Sequence, residues 1–411
     1  IGDRYYYDEK SWHGSQYSSC YGEGLEVTAN AQNVVTLSGY MHPYGTQTTN
    51  VFDDQGTEYS SSIVAGVAGL ILSANNCLSP DEVKGIMICL DTTEAVLDEA
   101  IKENCNLIIA HHPILFSGLK KITGRNYVER VIIKAIKNNL AIYALHTNLD
   151  NINTGVNRQL CQQLGLENAK ILLQKQGILK KLVTFTPIEQ AEKVRKALFA
   201  AGAGNISNYS ECSFNIEGKG TFKPEAEANP TIGEKLIRHT ESEVRTEVIY
   251  EAHREHLVLK ALFESHPYEE VAYDIYTLTN THQQTGSGMI GQLKEEIDEI
   301  TFLQLVKSNL NCSVLKHTHL SQKKIRKVAV CGGSGIFLLP QAIDAGADAL
   351  ITSDIKYHQF FDADNRILLI DAGHYETEQF TMMLIKDLLI KKFTTFAIRL
   401  TKVDTNPVKY F

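Results

Sequence analysis

"VKGIMICLDTTEAVLDEAIKENCNLIIAHH", residues 83–112, is the stretch that decides the fold of most of this chain. It begins with an apolar run typical of a buried strand, continues with apolar residues at helical spacing, and ends in a second apolar run. Strand, helix and strand in this order predict a βαβ unit with parallel strands. Two adjacent histidines, His111 and His112, follow the second strand directly. Because ligands of such sheets bind beyond the carboxyl ends of the strands, we expect both imidazoles to reach one cleft.

The alternation of strands and helices continues on both sides of a different segment. "YVERVIIKAIKNNL" and "AIYALH" extend it in the first half, and "KKIRKVAVCGGSG" and "RILLIDAG" resume it in the second. These patterns predict an α/β fold with a mostly parallel sheet flanked by helices, built from residues 79–178 and 283–411. Between the halves, residues 179–282 follow the order βαββαβ, which predicts an inserted ferredoxin-like domain.

The first 78 residues differ in composition, being rich in Tyr, Ser, Thr, Gly and Asn. The stretch from about "SSCYGEGLEV" to "LILSANNCLSPDEVK" resembles the C-terminal part of a subtilisin-like serine protease domain, in which the nucleophile stands at the start of a small-residue helix. The matching residues here are "GTEYSSSIVAG", residues 56–66, and Glu58 stands at the position of the serine. A carboxylate cannot replace the hydroxyl in acyl transfer, so we expect a partial, degenerate α/β fragment and no active serine protease.

Composition and charge exclude several classes of protein. The net charge of −8 over 411 residues predicts no broad nucleic-acid-binding surface. No apolar run reaches the roughly 18 residues of a membrane helix, and no secretory leader is visible, so we expect no membrane association. The eight cysteines are scattered without a CxxC pair, which favours reduced thiols and a cytoplasmic location.

Polar side chains follow three predicted strands of the α/β domain. Carboxyl ends of parallel strands meet at one edge of a sheet, so these side chains are expected to converge. Imidazoles with carboxylates suit zinc, iron or manganese, and carboxylates able to bridge make a two-metal site plausible. The three clusters are His111 with His112, His146 with Asp150 in "ALHTNLD", and Asp371, His374 and Glu378 in "DAGHYETEQF".

Each cluster also has a plainer explanation. A histidine at a strand end is usually capped or at the surface, Asp150 suits a helix cap, and Glu378 suits a solvated helix face. The coincidence of three such clusters at three strand ends favours a metal site over these explanations.

Two further features are candidates for substrate contacts. The glycine turn of "CGGSG", with Gly332, Gly333 and Gly335 before a predicted helix, is a candidate anion-binding loop, although an ordinary tight βα turn explains it equally well. His358, in "SDIKYHQ", follows another predicted strand and is a candidate for proton transfer. "GSGMIG", residues 286–291, fits a return loop better than a dinucleotide fingerprint.

From about residue 83 onward the chain resembles the Nif3 family of dinuclear metal-centre proteins, the group labelled GTP cyclohydrolase 1 type 2 homologues. The motifs that carry the resemblance are "AHHPILFSGLKK", "HTNLD", "SHPYEEVAYDIYTL", "GSGMIGQL", "CGGSG", "GADALITSDIKYHQ" and "DAGHYETE". The resemblance implies a ring-shaped hexamer and two divalent metal ions per chain, with His146 as a supporting residue or extra ligand. The metal ligands that it implies are His111, His112, Asp150, His374 and Glu378. Family members usually open with a helical segment, and this chain has the protease-like stretch instead, through a natural fusion or a misjoined reading frame.

Two functions of different classes fit these features. One is a metal-dependent hydrolase, either a cyclohydrolase or a phosphohydrolase, acting through a metal-activated water on a nucleotide-like or phosphorylated small molecule. The other is a non-catalytic metal-binding, scaffold or regulatory protein that acts through its ring-shaped oligomer. The cyclohydrolase label describes similarity and does not by itself establish an activity.

Overall fold

A computed structural model describes residues 83–116, 119, 121–393 and 397–411, together with the backbone of three strands nearer the start of the chain. Those strands, β1 (Tyr17–Gly22), β2 (Leu25–Asn30) and β3 (Asn33–Gly39), form an antiparallel sheet in the order β1-β2-β3. The chain forms two compact units. The insert unit is Gln174–Gln283, and the main unit contains the described residues up to Leu173 and from Gln284 onward.

The main unit contains a four-stranded sheet in which every neighbouring pair is parallel. Its strands, in sheet order, are β17 (Ile398–Leu400), β4 (Ile86–Cys89), β5 (Leu107–Ala110) and β6 (Ala141–Ala144).

The main unit also contains a six-stranded mixed sheet. Its strands, in sheet order, are β13 (Lys316–His317), β16 (Leu368–Asp371), β15 (Ala349–Ser353), β14 (Lys324–Ser334), β12 (His282–Asp298) and β7 (Glu167–Lys175). The pairs β14–β15 and β15–β16 are parallel, whereas β13–β16 and β12–β14 are antiparallel.

Helices connect the strands of both units. In chain order they are α1 (Glu94–Lys102), α2 (Tyr127–Lys137), α3 (Thr147–Asp150), α4 (Val156–Gln163), α5 (Ile188–Ala200), α6 (Glu255–Ser265), α7 (Glu299–Asn309), α8 (Leu339–Asp344), α9 (His374–Glu378) and α10 (Thr381–Lys392). Short 3₁₀ turns cover Ala252–Arg254, Ile336–Leu338 and Tyr357–Ala363. Within these described helices, none has the length and apolar content that crossing a membrane requires.

The four-stranded sheet is covered on both faces, which explains why β4 and β5 are continuous apolar runs. On one face Ile88 and Ile109 belong to a buried cluster with Leu384 of α10. On the other face Ile108 belongs to a cluster with Val96 of α1 and residues of α2. Thr93 caps α1, since its side chain accepts a hydrogen bond from the Val96 N–H.

The insert unit is an antiparallel sheet packed against two helices. Its elements run β8 (Leu179–Pro187), α5, β9 (Ser213–Phe222), β10 (His239–Glu251), α6 and β11 (Tyr273–Thr277), and the sheet order is β11-β8-β10-β9. This order of elements is the split βαβ arrangement. A buried cluster that includes Leu182, Leu198, Val248 and Leu262 joins one face of the sheet to α5 and α6.

The α/β fold class is confirmed, with one correction to the expected sheet and one to an expected loop. The strands of the main unit form two sheets rather than one. In the six-stranded sheet, β12 pairs antiparallel with β14 and β13 pairs antiparallel with β16, so antiparallel strands flank the parallel run on both sides. The stretch "GSGMIG", expected as a return loop, lies within β12, where Gly288 has a φ of +61°.

Candidate metal centre

The two adjacent histidines stand at the carboxyl end of β5. The N–H of His111 donates to the Cys89 carbonyl at 3.1 Å, and the N–H of His112 donates to the Leu90 carbonyl at 2.9 Å, so the pairing with the β4 segment extends past the strand. His111 is fully buried, and the ring centroids of the two histidines are 4.7 Å apart. Both imidazoles therefore contribute to one cluster at the end of the sheet.

The neighbouring strand β6 brings the second pair of residues. The His146 N–H donates to the His111 carbonyl at 2.8 Å, and His146 has a φ of +38° at the turn into α3. The single turn of α3 then carries Asp150, whose Oδ1 lies 3.5 Å from Nε2 of His111. The His146 ring lies 5.9 Å from that of His111 and 5.8 Å from that of His112, so it is a neighbour of the cluster.

The third pair comes from the six-stranded sheet. β16 leads through Gly373, with a φ of +93°, into α9, whose first and last residues are His374 and Glu378. Spacing of four residues places them on one helix face, and Glu378 Oε2 lies 3.1 Å from His374 Nε2. The same oxygen lies 2.9 Å from Nε2 of His112, and Oε1 lies 3.7 Å from Nε2 of His111.

All five predicted ligands thus lie in one cluster, and the donor set suits a divalent metal. Ligand atoms of His111, His112 and Glu378 all lie within 4.8 Å of one another. Two buried ligand atoms of the cluster lack a hydrogen-bond partner among the described residues: Nε2 of His111 and Oδ1 of Asp150. Leaving such atoms unsatisfied is costly, and a cation would satisfy them together.

Two carboxylates that the sequence reasoning missed hold the outer nitrogens of the imidazoles. Asp91 Oδ1 lies 2.8 Å from Nδ1 of His112, and Asp354 Oδ2 lies 2.6 Å from Nδ1 of His374. Carboxylates in this position fix the tautomer and orientation of a metal-ligating histidine. A signal was present, since each aspartate follows a buried strand, β4 or β15, at the same edge as the predicted ligands.

The cluster shifts the pKa values of its two carboxyl groups, Glu378 and Asp150, in opposite directions. Burial would raise the pKa of Glu378, but the nearby imidazoles of His111, His112 and His374 outweigh it and hold that pKa well below its usual range. Burial raises the pKa of Asp150 to about 6, with the charge of Glu378 adding to the effect. Glu378 is thus the permanent anion at the centre of the cluster.

The cluster also shifts the pKa values of its histidines in opposite directions. Burial would lower the pKa of His112, but hydrogen bonds to Asp91 and Glu378 raise it to about 10. The hydrogen bond to Glu378 is the main cause that raises the pKa of His374 to about 9. Burial, with the nearby imidazoles of His111 and His112, lowers the pKa of His146 to about 4, so this ring is neutral at pH 7.

The glycines of "CGGSG" lie at the end of β14, which contains Gly332 and Gly333, and their N–H groups are not free as an anion-binding loop would require. The N–H of Gly332 donates to Asn157 Oδ1, that of Gly333 to Thr377 Oγ1, and that of Gly335 to Thr352 Oγ1. These three N–H groups are therefore engaged within the protein. Gly333 instead allows a close approach, because it has a φ of +61° and a Cβ there would overlap Oε1 of Glu378.

His358 lies apart from the contacts that build the cluster. It is exposed within the 3₁₀ turn Tyr357–Ala363, and its ring contacts those of Tyr357, at 5.1 Å, and Phe361, at 6.4 Å. A role in proton transfer stays a prediction that these contacts do not support.

A cleft of about 760 Å³ opens over the cluster. His112, His146 and His374 line it, as do Phe116, Tyr127, Tyr375 and Tyr410. The segment 405–410 forms part of its wall and is hydrogen-bonded at two points to carboxylates that line the cleft. Thr405 Oγ1 donates to Asp91 Oδ2 at 2.9 Å, and Asn406 Nδ2 donates to Glu376 Oε1 at 3.3 Å.

The fold and the site define an α/β protein with a candidate metal-binding group at the meeting of two sheet edges. The chain belongs to the Duf34/NIF3 (NGG1p interacting factor 3) family, whose model matches residues 68–407.

Similar proteins cover nearly the whole of that match. A GTP cyclohydrolase 1 type 2 homolog of Bacillus subtilis is 38% identical over 338 residues, which are 80% of this chain and 89% of the relative. One from Halalkalibacterium halodurans is 39% identical over 335 residues, 80% of this chain and 90% of the relative. The crystal structure of a Bacillus cereus protein related to NIF3 has a TM-score of 0.68 and 40% identity, and covers 80% of this chain and 90% of that one.

The expected N-terminal fragment is not borne out by these comparisons. The family match begins at residue 68, within the stretch of 1–78 that resembled a subtilisin-like domain. The degenerate nucleophile position, Glu58, lies outside the described residues.

Proposed function

We propose that this protein is a metal-dependent hydrolase that holds two divalent ions through His111, His112, Asp150, His374 and Glu378. The observation that carries the proposal is the pair of buried ligand atoms, Nε2 of His111 and Oδ1 of Asp150, that lack a hydrogen-bond partner among the described residues and lie 3.5 Å apart beneath an open cleft. The names of the relatives, GTP cyclohydrolase 1 type 2 homologs, support a nucleotide-like or phosphorylated small molecule as substrate. The reaction class is cyclohydrolysis or phosphoester hydrolysis, and the ions are zinc, iron or manganese.

The protein's own residues prepare the site for this chemistry. Divalent ions bound here would supply Lewis acidity and lower the pKa of water. Asp91 and Asp354 hold Nδ1 of His112 and His374, which aims Nε2 of each ring into the cluster. The neutral ring of His146 lines the cleft as a further lone-pair donor. Aromatic side chains of the wall offer a surface on which the base of a nucleotide would stack.

A non-catalytic role remains a second candidate, because one observation favours it. Lys316 is the one lysine or arginine among the described residues that line the cleft, and its Nζ is 2.7 Å from Oδ2 of Asp371. The carboxylates of Asp91, Asp354 and Glu376 also face the cleft. Such a lining offers little to a polyphosphate, so in this alternative the protein binds metal as a scaffold or regulator in a cytoplasmic hexameric ring.

Two measurements separate these functions. Elemental analysis of the purified protein should give two divalent ions per chain, and the double variant H111A/H374A should lose them. Metal-loaded protein is then incubated with nucleoside triphosphates and phosphoesters, with the double variant as control. Product formed only by the wild type supports the hydrolase, metal retained without product supports the scaffold, and absence of metal from the wild type contradicts both. Light scattering after gel filtration reports whether the chain is a hexamer.

A further inference from the structure

The insert unit contains a second cavity, of about 780 Å³, that shares no lining residue with the metal cluster. The cavity lies on the face of the sheet opposite to α5 and α6. Strand register places Phe185 opposite Arg245, and Arg245 opposite Ile216, and all three line the cavity. Its volume falls within the range of roughly 300–1,000 Å³ found for small-molecule sites.

Two loops form the outer wall of this cavity and bind each other. The Asn229 N–H donates to Oε2 of Glu269 at 2.7 Å, and Thr231 Oγ1 donates to the Pro267 carbonyl at 2.8 Å. Between the loops and the sheet the lining is mainly apolar and aromatic. It includes Phe185, Phe222, Tyr268, Ile216 and Ile232. The Phe222 and Tyr268 ring centroids are 5.9 Å apart.

One carboxylate stands within this apolar lining. Glu243, only 7% exposed, is the one residue that is both charged and buried among the described residues lining the cavity. Its Oε1 accepts a hydrogen bond from the Tyr268 hydroxyl at 2.8 Å. Its Oε2 has neither a hydrogen bond nor an ion pair among the residues that the structure describes.

The neighbouring strand is shaped to hold this carboxylate. Gly220 faces Glu243 from β9, and a Cβ at Gly220 would overlap Oε2. Burial and the hydrogen bond to Glu243 raise the pKa of Tyr268, so its hydroxyl keeps the proton that it donates. The carboxylate is therefore fixed from two sides, with one oxygen left for a ligand.

The cationic side chains of the lining stand at its rim. Lys219, Lys223 and Arg245 are exposed, and Arg245 is paired with Glu247 at 2.9 Å. They leave Oε2 of Glu243 without a counter-charge inside the cavity. This oxygen is accessible from the cavity, so a ligand can supply the charged N–H donor that the described residues do not.

We propose that this cavity binds a small molecule in which a cationic amine or amidine group is attached to a ring-sized apolar body. The nitrogen group would donate to Oε2 of Glu243, and the ring would pack between Phe185, Phe222 and Tyr268. Charge complementarity with the one buried carboxylate selects this class over neutral or anionic molecules.

Benzamidine, an aromatic amidine, is a suitable probe for the full-length protein, with the neutral isostere benzamide as its chemical control. The variant E243Q keeps the shape of the side chain and removes its charge. The matched control is E255Q, because Glu255 also accepts a hydrogen bond from a tyrosine hydroxyl, that of Tyr250 at 2.9 Å, and lies outside the cavity. Titrations followed by NMR report affinity, and thermal melts verify that each variant is folded.

Saturable binding of benzamidine is expected in the wild type and in E255Q. In E243Q the affinity should fall by about tenfold or more, and benzamide should bind the wild type weaker by a similar factor. Undetectable benzamidine binding, or equal binding by E243Q, would overturn the proposal, as would equal binding of benzamide. The variant H374A should bind benzamidine like the wild type, which separates this cavity from the metal centre.

Discussion

Nε2 of His112 and Nε2 of His374 face each other at 3.3 Å, although 262 residues separate the two histidines in sequence. The opposite nitrogen of each ring is held by an aspartate, so neither ring can turn its lone pair away. Two imidazoles in this arrangement need a proton or a cation between them and the neighbouring carboxylate. The contact therefore links protonation to metal binding.

Metal affinity should rise with pH. The pKa of His112 is raised to about 10 and that of His374 to about 9, so protons compete with a metal for this pair of rings at pH 7. Each released proton should strengthen binding by about tenfold per pH unit below these pKa values. Chelator competition with Zn²⁺ or Mn²⁺ at pH 6, 7 and 8 measures the slope. A dissociation constant that does not change with pH would contradict this coupling.

The orienting aspartates should affect metal affinity without being ligands. D91N and D354N remove the charge that holds Nδ1 of His112 or His374, and each should weaken metal binding by about 10–100-fold. D362N, at an exposed aspartate of the nearby 3₁₀ turn, is the control and should bind like the wild type. Isothermal titration gives the three affinities. If D91N and D362N gave the same affinity, Asp91 would have no orienting role.

Thr405 should act on His112 through Asp91. T405V removes the hydroxyl that donates to Asp91 Oδ2, and we expect metal affinity to fall by several-fold and the Nδ1–H resonance of His112 to shift. T405S retains a hydroxyl and should restore both values. A fall in stability in T405V with an unchanged His112 resonance would mean that Thr405 serves packing alone.

We expect the position of the Glu378 carboxylate to depend on a glycine at position 333. In G333A the new methyl group would overlap the carboxylate of Glu378, and alanine would also have to adopt a left-handed backbone conformation. We therefore expect the variant to lose metal and about 1–3 kcal/mol of its free energy of unfolding. G346A is the matched control, because Gly346 has a φ of +68° but no atom within 4 Å of the new Cβ. G346A should show only the backbone cost and retain metal. Urea unfolding and elemental analysis measure both effects, and equal metal content in the two variants would contradict the role of Gly333.

The cluster was predictable because its ligands follow apolar strands directly. His111 and His374 each stand at the end of a run that can only be a buried strand, and parallel strands expose those ends at one edge. The division into two sheets was not predictable, since the antiparallel pairing of β12 with β14 joins segments that are distant in sequence.

The residues that position the predicted ligands were harder to predict from the sequence. The N–H groups of Gly332, Gly333 and Gly335 donate hydrogen bonds to side chains that are remote in sequence, those of Asn157, Thr377 and Thr352. The local sequence pattern does not reveal these partners, so it could not exclude an anion-binding loop. The bond from Thr405 to Asp91 spans 314 residues and has no local signature.

The separation of the ligands along the chain also has a consequence during synthesis. His111, His112 and Asp150 leave the ribosome together, but His374 and Glu378 follow only after the insert unit. At ordinary rates of translation this delay is on the order of half a minute. A nascent chain therefore displays an incomplete, electron-rich half-site long before its other half exists. Under the proposed function, selection among metal ions therefore follows translation of the second half, when all five proposed ligands can bind an ion together.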